Sequence, residues 1–218
     1  NDDVKNSIGT DVLLYDEAKT GNGRMKITLL DREIIDMTEH TNVYIDEAYY
    51  DPNPSLSKLS LRMVQGTARF TSGAGQRIRK ENINVSTPTA QITINGTDFT
   101  TTIDELGRSL VILLPDEYGN SSGEIVVTND GGSVTLNEAY QATMVSTLES
   151  PPTNTVTISG ITPSLIDNMF IVNPPQEVQE AIEEQAQNDL NEDQGILDVD
   201  FLEFNELEQD ALENTKED

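Results

Sequence analysis

Ten short stretches rich in β-branched residues, each closed by a turn signal, limit what this chain can fold into: RMKITLL, NVYIDEAYY, SKLSLRMV, TARFT, INVST, AQITI, TDFTTTI, RSLVILL, GEIVVTN and GSVTLN. Gly21-Asn22-Gly23, Asp51-Pro52-Asn53-Pro54, Gly73-Ala74-Gly75, Glu105-Leu106-Gly107 and Asn129-Asp130-Gly131-Gly132 lie between them. Strands this short, with turns this frequent, predict an all-β domain. RSLVILLPD is apolar on both alternating faces and is expected to lie buried between layers, and EIVVTNDGGSVTL reads as a hairpin. In TPTAQITINGTDFTTTI the alternation changes phase: Ile92 and Ile94 share one parity, and Phe99, Thr101 and Ile103 the other. An alternating strand cannot keep one face in the core through Asn95-Gly96, so the chain must reset its register there.

The core is lean. Hydrophobic residues make up 35% of the chain and aromatic residues 5%, with no Trp, which suits small strands in a Thr/Asn/Ser-rich background. There is no Cys, which removes disulfides, thiolate nucleophiles, Cys-ligated zinc and iron–sulfur clusters from consideration. No run approaches the roughly 18 consecutive apolar residues of a membrane span, so the expectation is a soluble chain without membrane insertion.

Net charge is -26. Residues 1–176 carry 23 acidic and 12 basic side chains, residues 177–218 carry 16 and 1, so the tail holds more than half of the excess. Such a surface repels nucleic-acid phosphates and anionic membranes, and it favours solubility or a basic partner. Ser150-Pro151-Pro152 reads as a domain edge. In NPPQEVQEAIEEQAQNDL, Asn173 is placed to cap, Pro174 to open and Gln176 to close a capping box, and Val178, Ala181, Ile182, Ala186 and Leu190 form a thin apolar stripe, which predicts a helix over 174–190. The last stretch, GILDVDFLEFNELEQDAL, interleaves large apolar residues with carboxylates. Leu197, Phe201, Phe204 and Leu207 are its candidate docking side chains, able to bind a neighbour but too few to close a core.

No catalytic constellation is legible. His40 is the single histidine, and no G-x-S-x-G elbow accompanies it, so a hydrogen-bonding role at a strand edge is expected. Adjacent carboxylates such as Asp46/Glu47, Asp104/Glu105 and Asp116/Glu117 point to opposite faces of a strand and cannot flank a sugar. DEYGNSSGE departs from calcium-loop spacing and reads as a solvent-facing turn. KTGNGRMK lacks the spacing of a phosphate loop. Arg77, Arg79 and Lys80 have no interleaved aromatic and are expected to pair with the protein's own acidic groups. The chain is read as a non-enzyme that needs no cofactor or metal.

VQGTARF at 64–70 followed by TPTAQITINGTDF at 87–99 resembles the FecR-like domain family, whose motif runs G-x-A/V-x-F and then T-P-x-A-x-x-x-x-R-G-T-x-F. The matching positions are Gly66, Ala68, Phe70, Thr87, Pro88, Ala90, Gly96, Thr97 and Phe99; Asn95 stands where the family has Arg. VILLPDEYGNSSGEIVVTNDGGSVTLNEAYQATMV continues like the family's closing strands. The resemblance implies a twisted, solenoid-like or sandwich-like β domain over 8–148, in which Gly96 sits at a corner where the chain changes layer. After it come a linker at 149–173 with a short strand or helix, the helix at 174–190 and an acidic-apolar docking tail at 191–218. In bacteria such domains form the periplasmic half of a sigma-factor regulator that senses a transporter. The longer likeness of TEHTNVYIDEAYYDP, RMVQGTARF and TTTIDELGRSLVILLPD is to soluble FecR-like proteins of marine tailed bacteriophages. It makes a virion component of the portal, neck, tail or baseplate the first expectation, with copies of itself and other virion proteins as partners and the virion as its location. The periplasmic or extracellular signalling module is the alternative.

Overall fold

The computed structural model describes residues 9–73, 75–159 and 176–197, the last nine of these by backbone alone. Contacts divide the chain into two units, Asn1–Ala181 and Ile182–Asp218. Among the described residues of the first, thirteen strands join into one sheet that curls on itself, so that two layers face a common core. The strands are β1 (Glu17–Lys19), β2 (Met25–Thr28), β3 (Ile34–Met37), β4 (Asn42–Tyr49), β5 (Lys58–Thr71), β6 (Ile83–Ser86), β7 (Gln91–Asn95), β8 (Asp98–Ile103), β9 (Ser109–Leu113), β10 (Glu124–Asn129), β11 (Gly132–Leu136), β12 (Gln141–Val145) and β13 (Val156–Thr157).

The 14-residue β5 belongs to both layers. Its first half pairs with β4 and, in parallel, with β6, giving the layer β1-β4-β5-β6-β7-β10-β11. Its second half pairs with β3 and β8, giving β2-β3-β5-β8-β9-β12-β13. The sequence shows SKLSLRMV and TARFT as two strand-like stretches; the structure keeps one strand and bends it at Gly66. Leu59, Leu61 and Met63 before the bend and Ala68 and Phe70 after it all enter the same core. The odd-to-even shift is the signature of a strand passing from one layer to the other.

All five residues of β9 are buried, as its two-sided apolarity demands. Val111 and Leu113 face the common core, while Leu110 and Ile112 lie on the outer side with their register partners Met144 and Ala142, also buried. β10 and β11 form the hairpin read from EIVVTNDGGSVTL. β12 and β13 extend the second layer to Thr157. The helix α1 runs Gln176–Leu197. It passes beyond the predicted end at 190 because no proline follows and weak propensities at Asn191 and Gly195 do not by themselves stop a helix. Val178 and Ala181 on its first turns are buried. The predicted cap at Asn173-Pro174, the docking residues Phe201, Phe204 and Leu207, and the side chain of Leu197 lie outside the described residues.

Candidate functional site

The sequence motif maps onto three corners; at the first and third the chain passes between layers, and the second is the turn that joins β6 to β7 within the first layer. At the first, Gly66 bends β5 with φ +87°. A Cβ there would lie 2.6 Å from Thr41 Cα and 2.8 Å from the His40 carbonyl oxygen, so the residue is required twice, by conformation and by space. Threonines close the corner around it. Thr41 Oγ1 donates to the Thr67 carbonyl at 3.0 Å and accepts from Thr67 N–H at 3.1 Å. Thr38 Oγ1 donates to the same carbonyl at 3.1 Å, and Thr20 Oγ1 donates to the Thr38 carbonyl at 2.5 Å while accepting from Thr41 N–H at 2.8 Å. Where a bend breaks the ladder, hydroxyls supply the missing partners.

Thr87, Pro88 and Ala90 form the second corner. Thr87 N–H donates to the Ala90 carbonyl at 2.8 Å, and Ala90 N–H donates to Thr87 Oγ1 at 2.9 Å. Ser109 Oγ donates to Thr87 Oγ1 at 2.8 Å, and Thr89 Oγ1 reaches the Val145 carbonyl at 3.1 Å, tying this turn of the first layer to β9 and β12 of the second.

Gly96 and Thr97 make the third corner. β7 and β8 lie in different layers and do not pair, and Gly96 carries φ +67° between them. The phase reset in ITINGTDF is this crossing. Thr97 N–H donates to Ser72 Oγ at 3.2 Å, and Ser122 Oγ donates to the Leu114 carbonyl at 2.6 Å while accepting from Asp98 N–H at 3.0 Å. Asn95, where the resembling family has Arg, is exposed. Phe70 and Phe99 are cross-strand partners in β5 and β8, their rings stacked at 5.1 Å and 19°. The two motif halves, 17 residues apart in sequence at their nearest positions Phe70 and Thr87, meet in one ring pair.

Sequence reasoning missed a buried charge cluster beneath the third corner. Asp31 is 1% exposed, and its carboxylate accepts from Arg77 N–H and Ile78 N–H, each at 3.0 Å. Two residues on, Glu33 is also buried, and neither of its carboxylate oxygens has a hydrogen-bond partner among the described residues. Lys80 Nζ stands 3.8 Å from Glu33 Oε1 and donates instead to the Gly73 carbonyl at 2.7 Å. Burial pushes the Glu33 carboxyl above the usual Glu range, outweighing the opposing pull of Lys80. Burial, helped by the nearby Glu33, raises the Tyr50 phenol too. Glu33 borders a narrow cleft between the layers, walled by Ile35, Leu59, Leu61, Phe70 and Ile94. No local pattern exposes this cluster in sequence, since Asp31 and Glu33 meet Arg77, Ile78 and Lys80 across more than forty residues.

His40 sits exposed in the turn before β4 with φ +54°, its N–H donating to the Gly21 carbonyl at 2.9 Å. Lys80 turns inward to Glu33, Arg79 meets Glu81 at 3.4 Å, and Arg77 uses its backbone N–H on Asp31. Asp116 accepts from Tyr118 N–H at 2.9 Å and Asn120 N–H at 2.8 Å, which makes DEYGN a capped turn. Among the described residues no three His, Asp or Glu side chains stand together as a metal site. None of their helices is long and apolar enough to cross a membrane.

Residues 16–114 match the family model described as FecR protein. This stretch is similar to FecR proteins. The match takes in all three corners and ends at Leu114, and β10 to β13 extend the two layers beyond it. No curated protein matches the chain. Two crystal structures titled as a candidate anti-sigma factor from Parabacteroides distasonis ATCC 8503 are similar in fold. One is 17% identical with a TM-score of 0.49, covering 66% of this chain and 60% of that one; the other is 16% identical at 0.48, covering 65% and 59%. The chain therefore spans about three fifths of the length of the solved structures it resembles.

Proposed function

We propose that this chain is a non-enzymatic signalling module of FecR type, acting in the periplasm or outside the cell by binding a domain of a transporter or receptor. The observation that carries the reading is the family match over residues 16–114, which spans the corners and the stacked Phe70–Phe99 pair that build the fold. Corner chemistry agrees with a scaffold: the hydroxyls of Thr41, Thr87 and Ser122 are each spent on backbone or neighbouring hydroxyl groups. The longer likeness to phage proteins puts the virion first in a reading of the sequence, but no comparison adds to it, and the signalling module takes its place.

The test is made in the source cells. A photo-crosslinking residue at an exposed position such as Tyr118 is followed by fractionation into envelope, soluble and particle fractions. Crosslinks to one envelope receptor are expected. Recovery of the chain in assembled particles, crosslinked to structural proteins or to itself, would return the virion reading.

A further inference from the structure

Among the described residues the two layers end in four edge strands, and three of them are blunted. β1 is three residues long and carries Glu17 and Lys19. β2 carries Lys26, paired to Asp36 at 3.3 Å. β13 has two residues. Where β4 runs on past β1 it bears Asp46 and Glu47. Short length and charge are the usual protections of an open edge. β11 has neither, since Gly132-Ser133-Val134-Thr135-Leu136 is paired along its full length to β10 and contains no charge and no proline.

Which backbone groups β11 offers follows from the alternation of the ladder. Thr87 N–H bonds the Ala90 carbonyl, so the even residues of β7 bond β6 and its odd residues bond β10. The odd residues of β10 therefore bond the even residues of β11. Ser133 and Thr135 are left with N–H and C=O pointing away from the sheet, and both are exposed. At the far end Gln141 Oε1 already accepts from Asn137 N–H at 2.8 Å, which limits the opening to these residues. Around them stand exposed acidic groups, Asp130, Glu138 and Glu149.

We propose that the β11 edge, from Ser133 to Thr135, is a docking site for an extended segment of another protein with Lys or Arg flanking the paired residues. The inference rests on the partner-binding reading above and names the surface. Main-chain hydrogen bonds to Ser133 and Thr135 supply affinity without sequence preference, and the acidic flanks select the partner's charge. A second copy of this chain would bring the same three carboxylates to the edge, on a protein of net charge -26.

The probe is a synthetic peptide of alternating threonine and valine with lysines at both ends, added to the full chain and read by amide hydrogen exchange. Exchange at Ser133 and Thr135 is expected to slow at least about tenfold, as strand addition requires. The slowing should vanish with a peptide N-methylated on its pairing amides and weaken with glutamates in place of the lysines. Thr135→Pro should abolish it while Val127 and Val134 stay protected; if that variant does not fold, the N-methylated peptide decides. No slowing, slowing at another edge, indifference to peptide charge, or concentration-dependent dimerisation through β11 would overturn the proposal. Should the edge fail while a crosslinked receptor still binds elsewhere, the signalling reading stands without it.

Discussion

Gly66 and Gly96 both have positive φ, yet they are required for different reasons. At Gly96 the nearest obstacle to a Cβ is the flexible Lys80 Cγ at 3.7 Å, so only conformation is at stake. Gly96→Val is expected to cost about 1–3 kcal/mol and keep the fold. At Gly66 backbone atoms of His40 and Thr41 add a clash, and Gly66→Ala should lower the melting temperature more than Gly96→Ala does. Equal losses in thermal melts would show that the Thr41 corner yields. Glu33 gives a pH signature. Its folded-state pKa lies above the unfolded value, so the stability it contributes is full below about pH 4.3 and is lost as pH rises through the folded pKa. The stability of the wild type relative to Glu33→Gln should therefore fall over that window in urea titrations; a difference that rises with pH would contradict the burial assigned to Glu33. The parity of Ile92, Ile94, Phe99 and Ile103 made a register reset at Gly96 legible, and the resemblance to the FecR-like family is what made it a corner. The locking threonines were not legible: Thr20, Thr41 and Thr67 are more than twenty residues apart from one to the next and share no period.

At the scale of elements, β5 holds the two layers together, and its second half reaches the core through Phe70 against Phe99. A double-mutant cycle between Phe70→Leu and Phe99→Leu should yield a coupling of about 0.5–1.5 kcal/mol by chemical denaturation. A coupling within error of zero would mean that the rings merely fill volume. β9, β10 and β11 could be read directly, since continuous apolarity and a turn-closed alternation have few other solutions. β3 and β12 could not. Asp36 interrupts the first on its outer face, where Lys26 answers it, and QATMV has too few branched residues to stand out. Their strand character comes from their neighbours, β3 from β5 and β12 from β9. The Ser159 amide and hydroxyl, both donating to Glu177, hold that carboxyl below the usual Glu range at the start of α1.

For the whole molecule, charge and edge act together. A net charge of -26 opposes contact between copies, while at about 0.15 M salt the Debye length is near 8 Å, so the repulsion acts only at close approach. A basic segment is attracted over the same range, so raising ionic strength should weaken partner binding and favour self-contact. The acidic-apolar tail adds to the negative field, and a chain ending at Asp189 is expected to bind a basic partner more slowly with an unchanged melting transition, checked by stopped-flow mixing and calorimetry. An equal association rate would make the tail a bystander. The central claim, that this FecR-like chain is a partner-binding signalling module, is tested most directly by calorimetric titration of the full chain with the purified domain of the crosslinked envelope receptor at low and high salt. The account predicts saturable one-to-one binding that weakens as salt rises. A folded chain that gives no binding heat at either salt concentration would contradict it.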